Sequence, residues 1–166
     1  MLSSTFQPIL IIATLFVALT AGLLFAFAIV VMPGTKNLND AKFIRAFQAM
    51  DGVIQNNQPI FMLVWLGSVV ALILAAAAGF GQVDSVQRLL LIASVALYIF
   101  GVQAPTIAIN IPLNNEIQAV HVETMDSTEQ REARAKFEER WNRANHFRTI
   151  VAVVVTLLLL SLLLLL

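Results

Sequence analysis

Residues 59–80 read PIFMLVWLGSVVALILAAAAGF and contain no Asp, Glu, Lys or Arg. A helix needs about 20 mostly apolar residues to cross the roughly 30 Å of hydrocarbon in a bilayer. Because lipid offers the backbone no hydrogen-bond partners, a segment that crosses it must pair its own N–H and C=O groups. The stretch therefore predicts a transmembrane helix from Pro59 to Phe80.

Three further segments have charge-free, apolar interiors, and they cover Ile9–Met32, Leu89–Ile109 and Ile150–Leu166. Charged residues make up 12% of the 166-residue chain, about half the fraction found in a typical soluble domain. The predicted fold class is all-α, an antiparallel bundle of four transmembrane helices in a single domain over residues 1–166. The short link after Phe80 makes the second and third spans antiparallel neighbours.

The overall charge balance and the cysteine count limit the classes of function. The chain has 10 basic and 10 acidic residues and no cysteine. A net charge of zero gives no long-range attraction for nucleic acid, so no such partner is expected. Iron–sulfur clusters and thiolate metal sites are excluded. Residues 1–7 lack Lys and Arg, and the apolar run that follows is too long for a signal peptide.

Small residues recur at every fourth position in the first two spans, namely Ala18, Gly22 and Ala26, and then Gly67, Ala71, Ala75 and Gly79. Such rows let helix backbones approach closely in lipid. They predict a tight bundle and not a ligand site. In the third span, Gly101 and Pro105 predict a kink or a locally unwound turn.

The connection between the first two spans predicts an amphipathic surface helix. Within residues 35–57, Phe43, Phe47, Met50 and Ile54 recur at helical spacing. The polar residues lie between them, so one face of the helix is apolar.

The last span is predicted to extend well beyond the membrane. Ser127 and Gln130 have the spacing of a capping box, so one helix is expected to run from about Thr128 into the last span. Two pairs at i, i+4 spacing support this helix: Glu132–Lys136 and Glu139–Arg143.

The distribution of basic residues predicts the orientation. The first and third connections, with the adjoining Arg148, hold nine of the ten Lys and Arg residues. With four spans, both connections lie on one side, and the positive-inside rule makes that side cytoplasmic. We expect an integral protein of the bacterial inner membrane with both termini outside the cytoplasm.

Polar side chains gather on three helices at this cytoplasmic end. Such residues are costly in lipid and usually face the protein interior. We predict a pocket for an amphipathic, aromatic ligand, with the substrate-binding candidates Gln48, Gln103, Asn110, Asn114, Trp141 and Asn142. The alternative is that these amides only tie helix ends together through hydrogen bonds.

His146 and Arg148 are the candidate catalytic residues. A histidine with an ordinary pKa of about 6.5 exchanges protons near neutrality, and an arginine can stabilise a developing anion such as a phenolate. An alternative is a metal held by His121 and His146 with Glu116 or Glu123. The chain has no Ser/His/Asp signature, phosphate loop or zinc motif.

Six stretches resemble a family of small integral membrane proteins that includes the anthrone oxygenases. They are VMPG (31–34), FIRAFQ (43–48), PIF (59–61), NIPLN (110–114), WN (141–142) and NHFRT (145–149). The stretches keep the family order along nearly the whole chain. Two positions depart from the pattern, because Asp51 stands where Asn is frequent and Phe47 where Met is common.

The resemblance implies oxidation of a polyketide anthrone to an anthraquinone by dioxygen, with no separate cofactor. An electron-rich phenol, once deprotonated, can pass an electron to oxygen itself. His146 would then be the base, while Arg148, Asn110 and Asn114 would orient the substrate and Trp141 would stack on its rings.

Three hypotheses follow for the function. The first is an oxygenase or oxidase of a lipophilic phenol or quinol. The second is a non-catalytic membrane protein that binds a lipid or a small hydrophobic ligand, and the third is a metal-dependent membrane oxidoreductase. The expected partners are membrane lipids, a lipophilic aromatic molecule and further copies of the chain. Ion-coupled transport is disfavoured because the spans have no acidic residue in their interiors.

Overall fold

The computed structural model describes residues 5–166, and all regular elements in that range are helical. The five helices are α1 (Phe6–Thr35), α2 (Asp40–Gln55), α3 (Pro59–Gly79), α4 (Ser85–Gln118) and α5 (Ser127–Leu165), with a 3-10 turn at Val122–Thr124. α1, α3, α4 and α5 are long and apolar enough to cross a membrane. The predicted four-span, all-α bundle is confirmed, as are the amphipathic α2 and the extended last helix.

The start of α5 corrects the predicted capping box. Asp126 accepts hydrogen bonds from the N–H groups of Thr128 and Glu129 at 2.7 and 2.9 Å, and Glu129 accepts one from the Asp126 N–H at 2.9 Å. The box therefore lies one residue before the predicted pair of Ser127 and Gln130. A carboxylate at the helix N-terminus is favoured by the helix dipole as well as by its hydrogen bonds.

α1 packs against both α3 and α5, and glycines allow the close approach of α3. A Cβ at Gly67 would lie 2.8 Å from the ring of Phe16, and one at Gly79 would overlap the ring of Phe6. The predicted role in packing is thus confirmed for Gly67 and Gly79 of the second span, whereas Gly22 of the first span is exposed and a Cβ there would meet no atom within 4 Å. The apolar core of the spans surrounds this contact, with Leu10, Leu72 and Leu159 fully buried.

α4 departs from regular α-geometry where the sequence predicted it. Two π-helical segments, Tyr98–Gln103 and Thr106–Asn110, flank Pro105. Proline has no N–H to donate and its ring crowds the preceding turn, so the ladder of hydrogen bonds must readjust there. Gly101 faces α5, where a Cβ would lie 2.7 Å from Cγ1 of Val151.

The link between α3 and α4 joins two helices that separate as they leave it. They contact each other near the link, but the backbone of α3 scarcely approaches the π-helical half of α4. A hydrogen bond of 2.7 Å between the hydroxyl groups of Ser68 and Tyr98 spans the space between them. The prediction of close neighbours is therefore correct only near the link, because α3 uses its small-residue face against α1.

The two ends of the bundle differ in composition. The Gln87 side chain donates to the Leu165 carbonyl at 2.7 Å, so the C-terminal end of α5 lies beside the α3–α4 link. At the opposite end, α2 packs on α5 and α4 through a second apolar cluster that includes Phe43, Phe47 and Phe137. Both charged connections, and the site described next, lie at this second end.

Ion pairs at the α2 end fasten the connections to α5. Arg134 pairs with Glu138 at 2.6 Å and with Asp40 at 3.2 Å. Lys136 pairs with Glu116 of α4 at 3.1 Å and not with Glu132 on its own helix as predicted. The longer-range partner ties α4 to α5, whereas the predicted pair would have stabilised α5 alone.

Candidate functional site

A cavity of about 270 Å³ lies between the helices at the α2 end of the bundle, and all five helices line it. Its apolar walls come mainly from α1 and α3, and its polar groups from α2, α4 and α5. The lining residues are Thr20, Leu23, Leu24, Phe27, Phe47, Asp51, Ile54, Gln55, Asn57, Phe61, Met62, Trp65, Val102, Thr106, Asn110, Ile111, Asn114, Trp141, Asn145 and Arg148.

Arg148 brings a buried positive charge to one part of this cavity. The residue is 5% exposed. Nη1 donates to the Thr106 hydroxyl at 2.8 Å and Nη2 to Oδ1 of Asn145 at 3.0 Å, whereas Nε has no partner among the described residues. Both acceptors are neutral oxygens. A buried cation without a carboxylate partner is costly, so this site favours a bound anion.

Asn145 fixes the position of Arg148 relative to α1. Its side chain is fully buried and donates to the Leu24 carbonyl at 3.1 Å while it accepts from Arg148. α5 is thus joined to α1 by the same amide that orients the guanidinium. The Arg148 guanidinium is therefore held directly by Thr106 of α4 and, through Asn145, by α1.

Asp51 brings a buried negative charge to another part of the cavity. It is 4% exposed. Oδ1 accepts from the Asn114 amide at 2.7 Å, and Oδ2 accepts from Gln118 at 3.0 Å and from Gln55 at 3.2 Å. Three amide donors thus supply hydrogen-bond partners to both oxygens of this buried side chain. None of the ion pairs formed by the described residues includes Asp51 or Arg148.

Trp141 and two phenylalanines form the aromatic part of the wall. The indole N–H of Trp141 donates to Oδ1 of Asn114 at 2.8 Å. Its ring lies 5.7 Å from that of Phe27 and 5.4 Å from that of Phe47, measured between ring centroids. On the α3 side, Phe61 and Trp65 stack with centroids 6.1 Å apart. A flat, apolar ligand in the cavity would contact the faces and edges of these aromatic rings on several of its sides.

The two charges lie at different heights in the bundle. Arg148 is bonded to Thr106, and Asp51 is bonded to Asn114, two turns further along α4. The rise of about 1.5 Å per residue places these two partner residues of α4 about 12 Å apart along the helix axis. The cavity thus has a cationic and an anionic pole with apolar and aromatic walls between them.

Comparison with known proteins identifies the family. The family model described as anthrone oxygenase matches residues 53–158, well over half of the chain. The chain belongs to the anthrone oxygenase family. No curated protein and no solved structure matches the chain. The matched stretch includes Arg148, Trp141, Asn110 and Asn114, while Asp51 lies just before its start.

Four residues predicted for the site line the cavity of this anthrone oxygenase family member: Asn110, Asn114, Trp141 and Arg148. Asn110 is 2% exposed, its amide points to the Trp141 carbonyl at 3.5 Å, and its Oδ1 has no partner among the described residues. Oδ1 of Asn110 and Nε of Arg148 are thus buried polar atoms beside the cavity that lack a partner among the described residues, which is uncommon in a folded protein.

Three predicted residues lie elsewhere. Gln48 donates to the carbonyls of Ile117 and Val120 at 2.8 and 2.9 Å, so it fastens α2 to the end of α4. Gln103 and Asn142 do not line the cavity, although each has a buried polar atom without a partner among the described residues. The side-chain amide of Gln48 thus agrees with the alternative hypothesis, in which polar groups tie helix ends together.

His146 also lies outside the cavity, which corrects its placement as a base there. It is exposed on the outer face of α5, and its Nδ1 lies 2.7 Å from the Asn142 carbonyl. His146 and Arg148 are two residues apart, which turns their side chains about 200° from each other on a helix with 3.6 residues per turn. Only one of them can face the cavity.

The residues predicted as an alternative metal set are dispersed. Glu123 pairs with Arg45 at 2.9 Å, and Glu116 pairs with Lys136. Within residues 5–166, no group of three or more His, Asp or Glu side chains is arranged to hold a metal ion.

The structure adds residues that share the predicted polar helix faces but were not among the site candidates. Asp51, Gln55, Thr106 and Asn145 line the cavity and bond to its charged groups. Asn145 could have been found from its spacing, because residues at i and i+3 share a helix face and Asn145 precedes Arg148 by three positions. The contacts of Thr106 with Arg148 and of Asp51 with Asn114 depend on packing between helices, which no local sequence pattern encodes.

Proposed function

We propose that the protein is a membrane oxygenase that oxidises a lipophilic phenol-type compound, such as an anthrone, with dioxygen and without a separate cofactor. Membership of the anthrone oxygenase family supports this reaction class. The observation that carries the proposal is the buried Arg148, which faces an apolar, aromatic cavity and has only neutral oxygens as partners. Such a group stabilises an oxyanion as it forms, in a site of low dielectric constant.

Asp51 is the proton acceptor in this proposal, in place of His146. Asp51 is the carboxylate that lines the cavity, and its amide donors hold it in a fixed position. In an anthrone, the carbonyl and the reactive methylene lie on opposite sides of the central ring. The two charges are bonded to residues of α4 about 12 Å apart along the axis, which leaves room for a ring with a hydrogen bond at each side.

The reaction balances with dioxygen as the only oxidant. Asp51 takes a proton from the methylene, and the resulting phenolate oxygen is stabilised by Arg148. The anion passes one electron to dioxygen, and the superoxide and substrate radical combine to form a carbon–peroxide bond. Protonation and loss of water convert this carbon to a carbonyl, so one methylene and one dioxygen give one carbonyl and one water.

The remaining cavity residues position the substrate. Trp141, Phe27 and Phe47 provide ring contacts, and Asn114 holds both the indole and the carboxylate. Asn110 lines the cavity, and its Oδ1 has no partner among the described residues, so a small rotation of this side chain would bring it to a hydroxyl on the substrate. Apolar walls exclude water, which strengthens the interaction of Arg148 with the anion.

Oxygen uptake tests the proposal. Purified protein in phospholipid vesicles is supplied with anthrone, and oxygen consumption and anthraquinone formation are followed together. We expect equal molar amounts of the two, and a loss of about 100-fold or more in kcat for Arg148→Gln, the scale seen when one oxyanion donor is removed. His146→Gln is the matched control on the outer face of the same helix and should retain full activity.

Two results would contradict the assignment. Unchanged uptake in Arg148→Gln would remove Arg148 from the reaction. Binding of anthrone without oxygen uptake in the wild-type protein would favour the second hypothesis, a non-catalytic membrane protein that binds a hydrophobic ligand.

A further inference from the structure

The cavity has a side that faces the space between α3 and α4. Phe61, Met62 and Trp65 line it from α3, and Val102 and Thr106 line it from α4. These two helices approach each other near their link, but the backbone of α3 scarcely approaches the π-helical half of α4, where the cavity lies. The bond between Ser68 and Tyr98, both fully buried, marks the inner limit of this gap.

The outer edges of the gap are apolar. Ile60 and Leu63 of α3 are 67% and 62% exposed, and Ile107 of α4 is 62% exposed. Both helices are long and apolar enough to cross a membrane. Side chains of this kind at the surface of a transmembrane helix face lipid, so the gap adjoins acyl chains over the depth of the cavity.

α2 lies across the water-facing end of the cavity, where Gln55 and Asn57 are the exposed lining residues. Asp51 bonds to Asn114 and Gln118, Gln55 bonds to Asn115 at 3.1 Å, and Gln118 donates to the Gln48 carbonyl at 3.0 Å. These bonds fasten α2 to α4 across the end of the bundle. Phe47 packs at the same end, with its ring centroid 4.5 Å from that of Phe137 and 5.4 Å from that of Trp141.

We propose that the cavity is filled sideways from the bilayer, through the gap between α3 and α4, so that its ligand is an arene dissolved in the membrane. The identity of the ligand as an arene rests on the proposed function, whereas the route rests on the arrangement of the helices. A substrate that partitions into lipid reaches the site without crossing the hydrogen-bonded end covered by α2. This cavity is thereby suited to lipophilic compounds both by its route of entry and by its apolar walls.

Two threonines of α1 provide a matched pair of reporters. Thr20 lines the cavity, and Thr14 is on the same helix but does not. Both are nearly buried, and each donates to the carbonyl four residues earlier, at 3.0 Å for Thr20 and 2.7 Å for Thr14. The chain has no cysteine, so Thr20→Cys and Thr14→Cys each carry a single reactive thiol.

The experiment compares labelling of these variants in sealed phospholipid vesicles by two maleimides. One maleimide carries a pyrene and dissolves in the bilayer. The other carries a fixed charge, stays in water, and is supplied both inside and outside the vesicles. We expect the bilayer-soluble reagent to label Thr20→Cys at least tenfold faster than Thr14→Cys. The charged reagent should label Thr20→Cys no faster than Thr14→Cys.

Rapid labelling of Thr20→Cys by the charged reagent would overturn the proposal, because it would place the entrance on the aqueous side. Equal, slow labelling of both variants by the bilayer-soluble reagent would also overturn it. Val102→Cys, in the opposite wall, is the second reporter if Thr20→Cys fails to fold. No substrate is used, so this test can fail while oxygen uptake succeeds, and the reverse.

Discussion

The two buried charged residues, Arg148 and Asp51, differ in how far their hydrogen-bonding atoms have partners. Asp51 has three amide donors for its two oxygens, which is enough to stabilise a buried carboxylate without a cation. Arg148 has one hydroxyl and one amide oxygen, and its Nε lacks a partner among the described residues. Both oxygens of the anionic pole therefore have protein donors, while the cationic pole keeps one donor without a partner among the described residues.

The first prediction at the scale of single residues concerns Asp51→Asn. An amide has almost the same shape as the carboxylate, but it is not a proton acceptor of useful strength at neutral pH. We expect kcat for anthrone to fall by about 100-fold or more, the usual contribution of a general base. Binding of anthrone, followed by quenching of tryptophan fluorescence, should change much less than kcat.

The control for this change is Asp84→Asn at the distant α3–α4 link, where the side chain caps a helix. Full oxygen uptake by Asp51→Asn would show that Asp51 only orients neighbouring amides.

A second prediction contrasts two asparagines of α5. Asn145 is fully buried and bonds to both Leu24 and Arg148, so Asn145→Leu leaves Nη2 of Arg148 unpaired and removes the bond that joins α5 to α1 at the Leu24 carbonyl. We expect a loss of about 1–3 kcal/mol per unpaired group in the free energy of unfolding. Asn142 has a buried Oδ1 without a partner among the described residues, so Asn142→Leu should be neutral or stabilising. Unfolding by denaturant in detergent micelles measures both, and equal destabilisation would contradict the assignment.

For single residues, the sequence predicts chemical character more directly than the side of a helix on which a side chain lies. Asn110, Asn114 and Arg148 were predicted because polar groups in or beside a span turn inward, and the structure places them in the cavity wall. His146 was chosen for its chemistry, although its two-residue spacing from Arg148 puts it on the opposite side of the helix. Gln48 has the same chemistry as the site residues, and only its tertiary contacts reveal its structural role.

Helices α1 and α4 change from α to π geometry beside the cavity. Phe27–Val31 in α1 and Thr106–Asn110 in α4 are π-helical, and each includes residues of the cavity wall. A π-turn adds a residue to the turn and redirects the side chains around it, and such turns are frequent at functional sites. Prolines and Gly101 indicated a disturbance in α4, but the type and extent of the disturbance depend on the neighbouring helices. Sequence alone therefore predicted the helices but not their π-helical turns.

At the scale of the helices, Gly101→Ala tests the contact between α4 and α5. The new Cβ would lie 2.7 Å from Cγ1 of Val151, so the helices must move apart beside the π-helical segment. We expect a loss of about 1–3 kcal/mol in the free energy of unfolding, as for other overpacked sites. Gly22→Ala is the matched control, because a Cβ there meets no atom within 4 Å and alanine favours the helix.

The double variant Gly101→Ala/Val151→Ala makes this prediction specific, since it removes the methyl groups that the new Cβ would strike. It should recover part of the lost stability. A Gly101→Ala protein as stable as Gly22→Ala would show that α4 and α5 tolerate a wider separation at this point.

For the molecule as a whole, the number of spans and the two longer helices could be predicted from hydropathy and periodicity, because these patterns are local. The order of packing could not, since α3 prefers α1 over its sequence neighbour α4 through the contacts of Gly67 and Gly79. The gap between α3 and α4 is a consequence of that preference. It is also the feature that connects the fold to the proposed entry of substrate from lipid.

The last prediction concerns the orientation of the whole bundle in the membrane. Nine of the ten Lys and Arg residues lie at or near the end with α2 and the start of α5, which predicts that this end and the cavity are on the cytoplasmic side. Ser85 and Ser127 are a matched pair, because each is exposed and follows an aspartate that caps its helix. In intact bacterial cells, a charged maleimide should label Ser85→Cys at once and Ser127→Cys only after the inner membrane is permeabilised. The reverse pattern would place the cavity on the outer side, where the positive charges of the connections would oppose the rule that normally sets topology.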